Sequence, residues 1–99
     1  MFEEIADILK YIKNTIHGDT IIMWTDLKSV KELQRMVSGY IIRANKRDRK
    51  LLTELDLAFA PNGLFHILAL SNNWNDSYAQ LAKRFETAYQ RLKGDYLNS

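Results

Sequence analysis

Phe59-Ala60-Pro61-Asn62-Gly63-Leu64-Phe65-His66-Ile67-Leu68-Ala69-Leu70-Ser71-Asn72-Asn73-Trp74-Asn75-Asp76-Ser77-Tyr78 is the stretch on which the fold turns. A proline–asparagine–glycine breaker leads into seven residues of which only His66 is polar. A polar knot around Trp74 follows, and then a long amphipathic segment begins. Pro61 ends whatever precedes it, because the residue before a proline avoids the α region. The run 63–71 reads as a short buried helix, apolar on every face. A buried strand is the alternative, and so short a run does not decide between them. If it is a strand, its partner is Thr20-Ile21-Ile22-Met23-Trp24, where β-branched residues suit extended backbone. That pairing makes the chain α+β, with a two-stranded element from 20–24 and 64–70.

The flanking segments favour helices. From 2 to 17, Phe2, Ile5, Leu9, Ile12 and Ile16 recur at steps of three and four, and Gly18 stands where a helix stops. A second helix is expected from a cap at Thr25 or Asp26 to about Lys46, with Leu27, Val30, Leu33, Val37, Tyr40 and Ile41 inward. Gly39 inside that stripe costs about 1 kcal/mol relative to alanine, or marks a close crossing. Asp48 can cap a third helix over about 49–60. The last helix, about 76–93, has the clearest pattern: Tyr78, Leu81, Ala82, Phe85, Ala88, Tyr89 and Leu92 follow the i, i+3, i+4, i+7 rule, and Gly94 is its expected stop. Short links between amphipathic helices imply antiparallel neighbours. The expected fold is therefore all-α, a four- to five-helix bundle forming one domain over 1–99.

Composition narrows the class. At 99 residues the chain can bury a core without metal or disulfide, and it has no cysteine. No apolar run approaches the roughly 20 residues that span a bilayer, and Glu3, Glu4 and Asp7 stand where a signal peptide would be basic. A soluble, cytoplasmic protein is expected. The net charge is +2, unevenly placed: Arg43, Lys46, Arg47, Arg49 and Lys50 are offset in their run only by Asp48.

Catalytic chemistry finds little purchase. His17 and His66 are the only histidines, without metal-ligand spacing. His17 reads as a cation at a helix end, and His66 as a buried imidazole with a backbone or hydroxyl partner. Ser29, Ser38, Ser71 and Ser77 lack a nucleophile elbow, and Glu54 and Asp56 point to different sides of a helix. No enzyme activity, cofactor or metal is expected.

Two regions are candidates for contact with a partner. In the knot, Asn75 or Asp76 is expected to cap the last helix, and Asn72 or Asn73 to take the left-handed conformation that ends the preceding one. Asn62, Asn72, Asn73 and Trp74 also form a candidate recognition surface. The second region is the basic run. Its cations suit the C-terminal end of the second helix, and they also offer a patch for an acidic protein or for phosphate. Aromatic residues do not interleave these cations, so stacking of single strands lacks a platform in this run. A helix-turn-helix reading of 63–93 is poor, because Asp76 at the head of the reader helix repels phosphate.

In size, basic balance, absence of cysteine and helix content the chain resembles bacteriocin immunity proteins in outline, as it does many small phage, toxin–antitoxin and regulatory proteins. No motif carries a residue role across. The expected function is a small non-enzymatic protein-binding module, immunity-like or regulatory, with an acidic protein as one partner type. The alternative is weak, sequence-independent nucleic-acid binding through residues 43–50.

Overall fold

The apolar spacing of the N-terminal segment becomes helix α1, Phe2–Thr15, with Ile5, Ile8, Leu9 and Ile12 buried on one face. Helices α2 (Val30–Asn45), α3 (Lys50–Phe59), α4 (Leu64–Asn72) and α5 (Asn75–Asn98) follow. This computed structural model describes residues 1–98, with side chains through residue 94. No strand occurs among the described residues, so the 20–24/64–70 pairing is ruled out: the first run is irregular and the second is helical. The all-α bundle is the architecture.

α1 packs against α2 and α5, while α3 bridges α2, α4 and α5. Leu33 and Val37 of α2, Leu51 and Leu55 of α3, Phe65 and Leu68 of α4, and Leu81, Phe85, Ala88 and Leu92 of α5 join the α1 face in one core. An aromatic chain ties the second half together. Phe59 stacks on Phe85 with centroids 4.7 Å apart and stands edge-on to Phe65 at 5.0 Å. Tyr78 stacks on Phe59 at 5.9 Å and donates its hydroxyl to the Phe59 carbonyl at 2.9 Å.

Several boundaries differ from the sequence reading, each for a local reason. α1 stops at Thr15, because the His17 N–H is taken by Thr20 Oγ1 at 2.8 Å and Ile16 turns extended. α2 begins only at Val30. Its cap is Ser29, whose Oγ accepts the Glu32 N–H at 3.1 Å, while Glu32 reaches back to the Lys28 N–H at 3.0 Å. This is close to a capping box, and it displaces Thr25 and Asp26 from the expected role. At α5 the Trp74 carbonyl accepts the Tyr78 N–H at 2.8 Å, so Trp74 is the cap and Asn75 and Asp76 lie in the first turn. Gly94 does not stop α5, which continues through it. Gly39 marks no crossing, since nothing lies within 4 Å of where its Cβ would stand.

Gly63 is where a side chain is impossible. A Cβ there would fall 2.1 Å from the Leu57 carbonyl oxygen and 2.6 Å from that of Ala58. The α3–α4 corner is therefore tight, and Asn62 takes the left-handed conformation at φ 65° to make it. His66 holds the same corner: its Nδ1 accepts the Asn62 N–H at 2.9 Å. The backbone partner expected for His66 is present, although the ring is only half-buried.

Phe85 lies at the junction of α5 with the aromatic chain and is 2% exposed. Phe85→Ala is expected to cost about 3–5 kcal/mol, read as a large drop in urea midpoint with an unchanged slope. A midpoint indistinguishable from wild type would contradict this core.

Candidate functional site

Residues 16–29 join two helices that pack side by side, yet they exceed the roughly 2–8 residues such links need. They run instead around to α4. Thr20 is buried and closes a turn on His17. Thr25 Oγ1 donates to the Ile22 carbonyl at 2.6 Å and accepts the Leu27 N–H at 3.1 Å. The attachment to α4 is made by Asn72. Its Oδ1 accepts the Ile21 N–H at 2.7 Å, and its Nδ2 donates to the Ile21 carbonyl at 3.0 Å and to the Leu68 carbonyl at 2.9 Å. The side-chain amide thus pairs with a peptide unit much as a neighbouring strand would.

This clamp has a consequence for the apolar residues around it. Trp24, Leu27 and Met36 on one side and Asn62, Leu64 and Ile67 on the other line one surface groove. Trp24 is 68% exposed and Met23 72%. Leu70, one turn beyond Ile67 on the same helix, is 56% exposed. A helix that is apolar all round is normally covered on every side. Here α4 buries Phe65, Leu68 and Ala69, leaves Leu64 and Ile67 half-buried and exposes Leu70. Large apolar residues grouped on a surface mark contact sites far better than scattered ones.

The structure sorts the residues singled out in the sequence. Asn62 lines the groove and Asn72 anchors the segment beside it. Asn73 takes the left-handed conformation at φ 60° and ends α4. Trp74 is half-buried, packed against the core, and lines a cavity of about 20 Å³ with Tyr11, Phe65, Ser77 and Tyr78. It is a plug more than an exposed ring. The residues the sequence reading missed are Met23, Trp24 and Leu70. The signal for the first two was an apolar run too short for a strand, lying ahead of the Ser29/Glu32 cap.

The basic run lies at the other end of α3, about 15 Å along its axis from Phe59, so it is not one surface with the Asn62 turn. Arg43 is committed: its guanidinium reaches Asp48 at 2.8 Å and Glu54 at 2.5 Å. Those two carboxylates raise the Arg43 pKa further above its ordinary value. Arg47 sits in the left-handed region at φ 58° and faces Glu3 at 3.5 Å. That conformation costs an L-residue roughly 1–2 kcal/mol, and glycine is the usual occupant. Lys46 is exposed and caps α2. Arg49 donates to the Leu92 carbonyl at 3.3 Å, and Lys50 is exposed at the start of α3. A helix C-terminus welcomes Arg43, Lys46 and Arg47, but Arg49 and Lys50 stand at a helix N-terminus, where the dipole disfavours cations. Among the described residues no group of three or more His, Cys, Asp or Glu could hold a metal ion.

Asp48 joins these elements, accepting from Arg43 and from the Lys50 N–H at 3.0 Å. The Arg43 hydrogen bond holds its carboxyl below the usual range, against a smaller opposing effect of burial. A depressed folded pKa means that the stabilisation is present above the unfolded value of about 3.9 and is lost as pH falls through the folded one. Asp48→Asn is expected to be less stable than wild type at neutral pH and to lose less stability on acidification, read as urea midpoint against pH. Parallel profiles for the two proteins would contradict the pairing.

Comparison of the chain with protein-family models, with curated proteins and with solved structures finds no match in any of the three.

Proposed function

We propose that this chain is a non-enzymatic protein-binding module of the regulatory or immunity-like kind, acting in the cytoplasm. Its contact surface is the groove edge formed by Leu64 and Ile67 of α4, with exposed Leu70, Met23 and Trp24. The observation that supports this most is the groove that half-buried Leu64 and Ile67 of α4 share with Trp24, which is 68% exposed. Tryptophan and methionine are enriched at protein interfaces, and tryptophan is among the residues that most often carry the binding energy once a partner covers them. Asn62 supplies polar specificity at the groove edge. The partner that fits is a protein segment carrying an apolar stripe flanked by hydrogen-bonding groups, the helix-in-groove mode of recognition. Acidic character in the partner would be read separately, at the far end of α3.

Nucleic acid is the weaker reading for the run as a whole, because Arg43 is neutralised by Asp48 and Glu54.

The test is site-specific photocrosslinking in the native host, with benzoylphenylalanine replacing Trp24 or Leu70, and replacing the exposed Lys10 of α1 as the control. Discrete protein adducts from the first two positions and none from Lys10 are expected. Absence of a discrete adduct, or equal adducts from all three, would contradict the proposal.

A further inference from the structure

Of the asparagines in the chain, only Asn62 is followed by glycine. We propose that Asn62-Gly63 is a self-modifying site: it loses ammonia from the Asn62 amide when the α3–α4 corner opens, and is held unreactive while the corner is closed. The chemistry needs no co-reactant other than water. The Gly63 nitrogen gives up its proton and attacks Cγ of Asn62, and the new N–Cγ bond closes a succinimide ring. The Cγ–Nδ2 bond breaks, and the amide nitrogen leaves with that proton as ammonia. Water then adds at either ring carbonyl and opens the ring. Aspartate results where the N–Cγ bond breaks, and isoaspartate where the original peptide bond breaks. Glycine is the successor that permits this most readily, because no side chain shields its nitrogen or restricts its turning.

The closed corner opposes this reaction at the backbone. Asn62 is exposed, so water reaches it, but the peptide nitrogen its side chain must meet is fixed. The Gly63 N–H donates to the Ala60 carbonyl at 2.8 Å, and the Gly63 carbonyl accepts the Ile67 N–H at 3.0 Å. On the other side of the reacting peptide, the Asn62 N–H donates to His66 Nδ1 at 2.9 Å, with Asn62 at φ 65°. Deprotonating the Gly63 nitrogen forfeits its bond to Ala60, and turning it toward Cγ strains the bonds on either side. The carbonyls of Leu57 and Ala58 crowd Gly63 as well, which limits that turn. His66 is the side chain among these holds, so it is the residue through which the corner can be released. The product does not fit the corner it came from. Isoaspartate carries a former side-chain methylene in the backbone beside Gly63, and aspartate places a charge at the edge of the groove that Asn62 lines. A chain that has opened here for long enough carries a permanent mark.

The test incubates the full chain at neutral pH, folded in buffer and unfolded in guanidinium chloride, and follows the Asn62 peptide by mass spectrometry. Isoaspartate is counted by enzymatic methyl transfer. Deamidation at Asn62 is expected in the unfolded chain. In the folded chain it should be slower by roughly tenfold or more, because a local opening must come first. His66→Phe keeps a ring but offers no acceptor to the Asn62 N–H. That variant should retain its helical circular dichroism and deamidate faster than the folded wild type. Chain deamidated while unfolded and then refolded should have a lower urea midpoint than unmodified chain refolded the same way. No deamidation at Asn62 in the unfolded chain, or equal rates folded and unfolded, would overturn the proposal. So would a His66→Phe rate no faster than wild type, or a modified chain that refolds to the wild-type midpoint.

Discussion

The amide of Asn72 is the contact on which the candidate surface depends. It binds both polar groups of Ile21 across 51 positions of sequence. An asparagine side chain has the donor and acceptor of a peptide group, so it satisfies a stretch of backbone that belongs to no helix or sheet. That attachment acts together with the packing of Ile22 and Leu27 against the core to lay residues 16–29 along α4. With it, the segment lines a groove with Leu64 and Ile67 and holds Trp24 in solvent beside it. Hydrogen bonding to Asn72 and the packing of Ile22 and Leu27 thus fix the position of an apolar surface together.

A second constraint acts at the two ends of α3. At its C-terminal end, Gly63 lies so close to the α3 carbonyls that no side chain fits, and Asn62 and His66 complete the corner. At its N-terminal end, Asp48 receives Arg43 and caps Lys50 at once. These fixed corners separate an apolar surface from a cationic one by the length of a short helix.

Helix periodicity was legible wherever one face is buried. Leu81, Phe85 and Leu92 mark α5 as plainly in the sequence as in the core, and the 2–15 stripe is equally clear. Legibility failed where hydrogen bonds, not burial, decide. Thr25 and Asp26 looked like caps, but the reciprocal Ser29/Glu32 pair wins. Gly94 looked like a stop, but a helix tolerates one glycine at about 1 kcal/mol. For the candidate site, Asn62 and Asn72 stood out as unusual residues, yet the groove Asn62 shares with Trp24 and the bonds of Asn72 to Ile21 are encoded by no local pattern. Trp74 was conspicuous and is mostly a plug, whereas Trp24 lay in an ambiguous run and is the exposed ring.

The account stands most directly on the clamp, and amide hydrogen exchange at Ile21 measures it. The Ile21 N–H should be protected in the wild type. In Asn72→Ala that protection should collapse while the amides of α1 and α5 keep theirs, because the helices do not depend on the segment. An Ile21 amide that exchanges freely in the wild type, or keeps its protection in Asn72→Ala, would contradict the account.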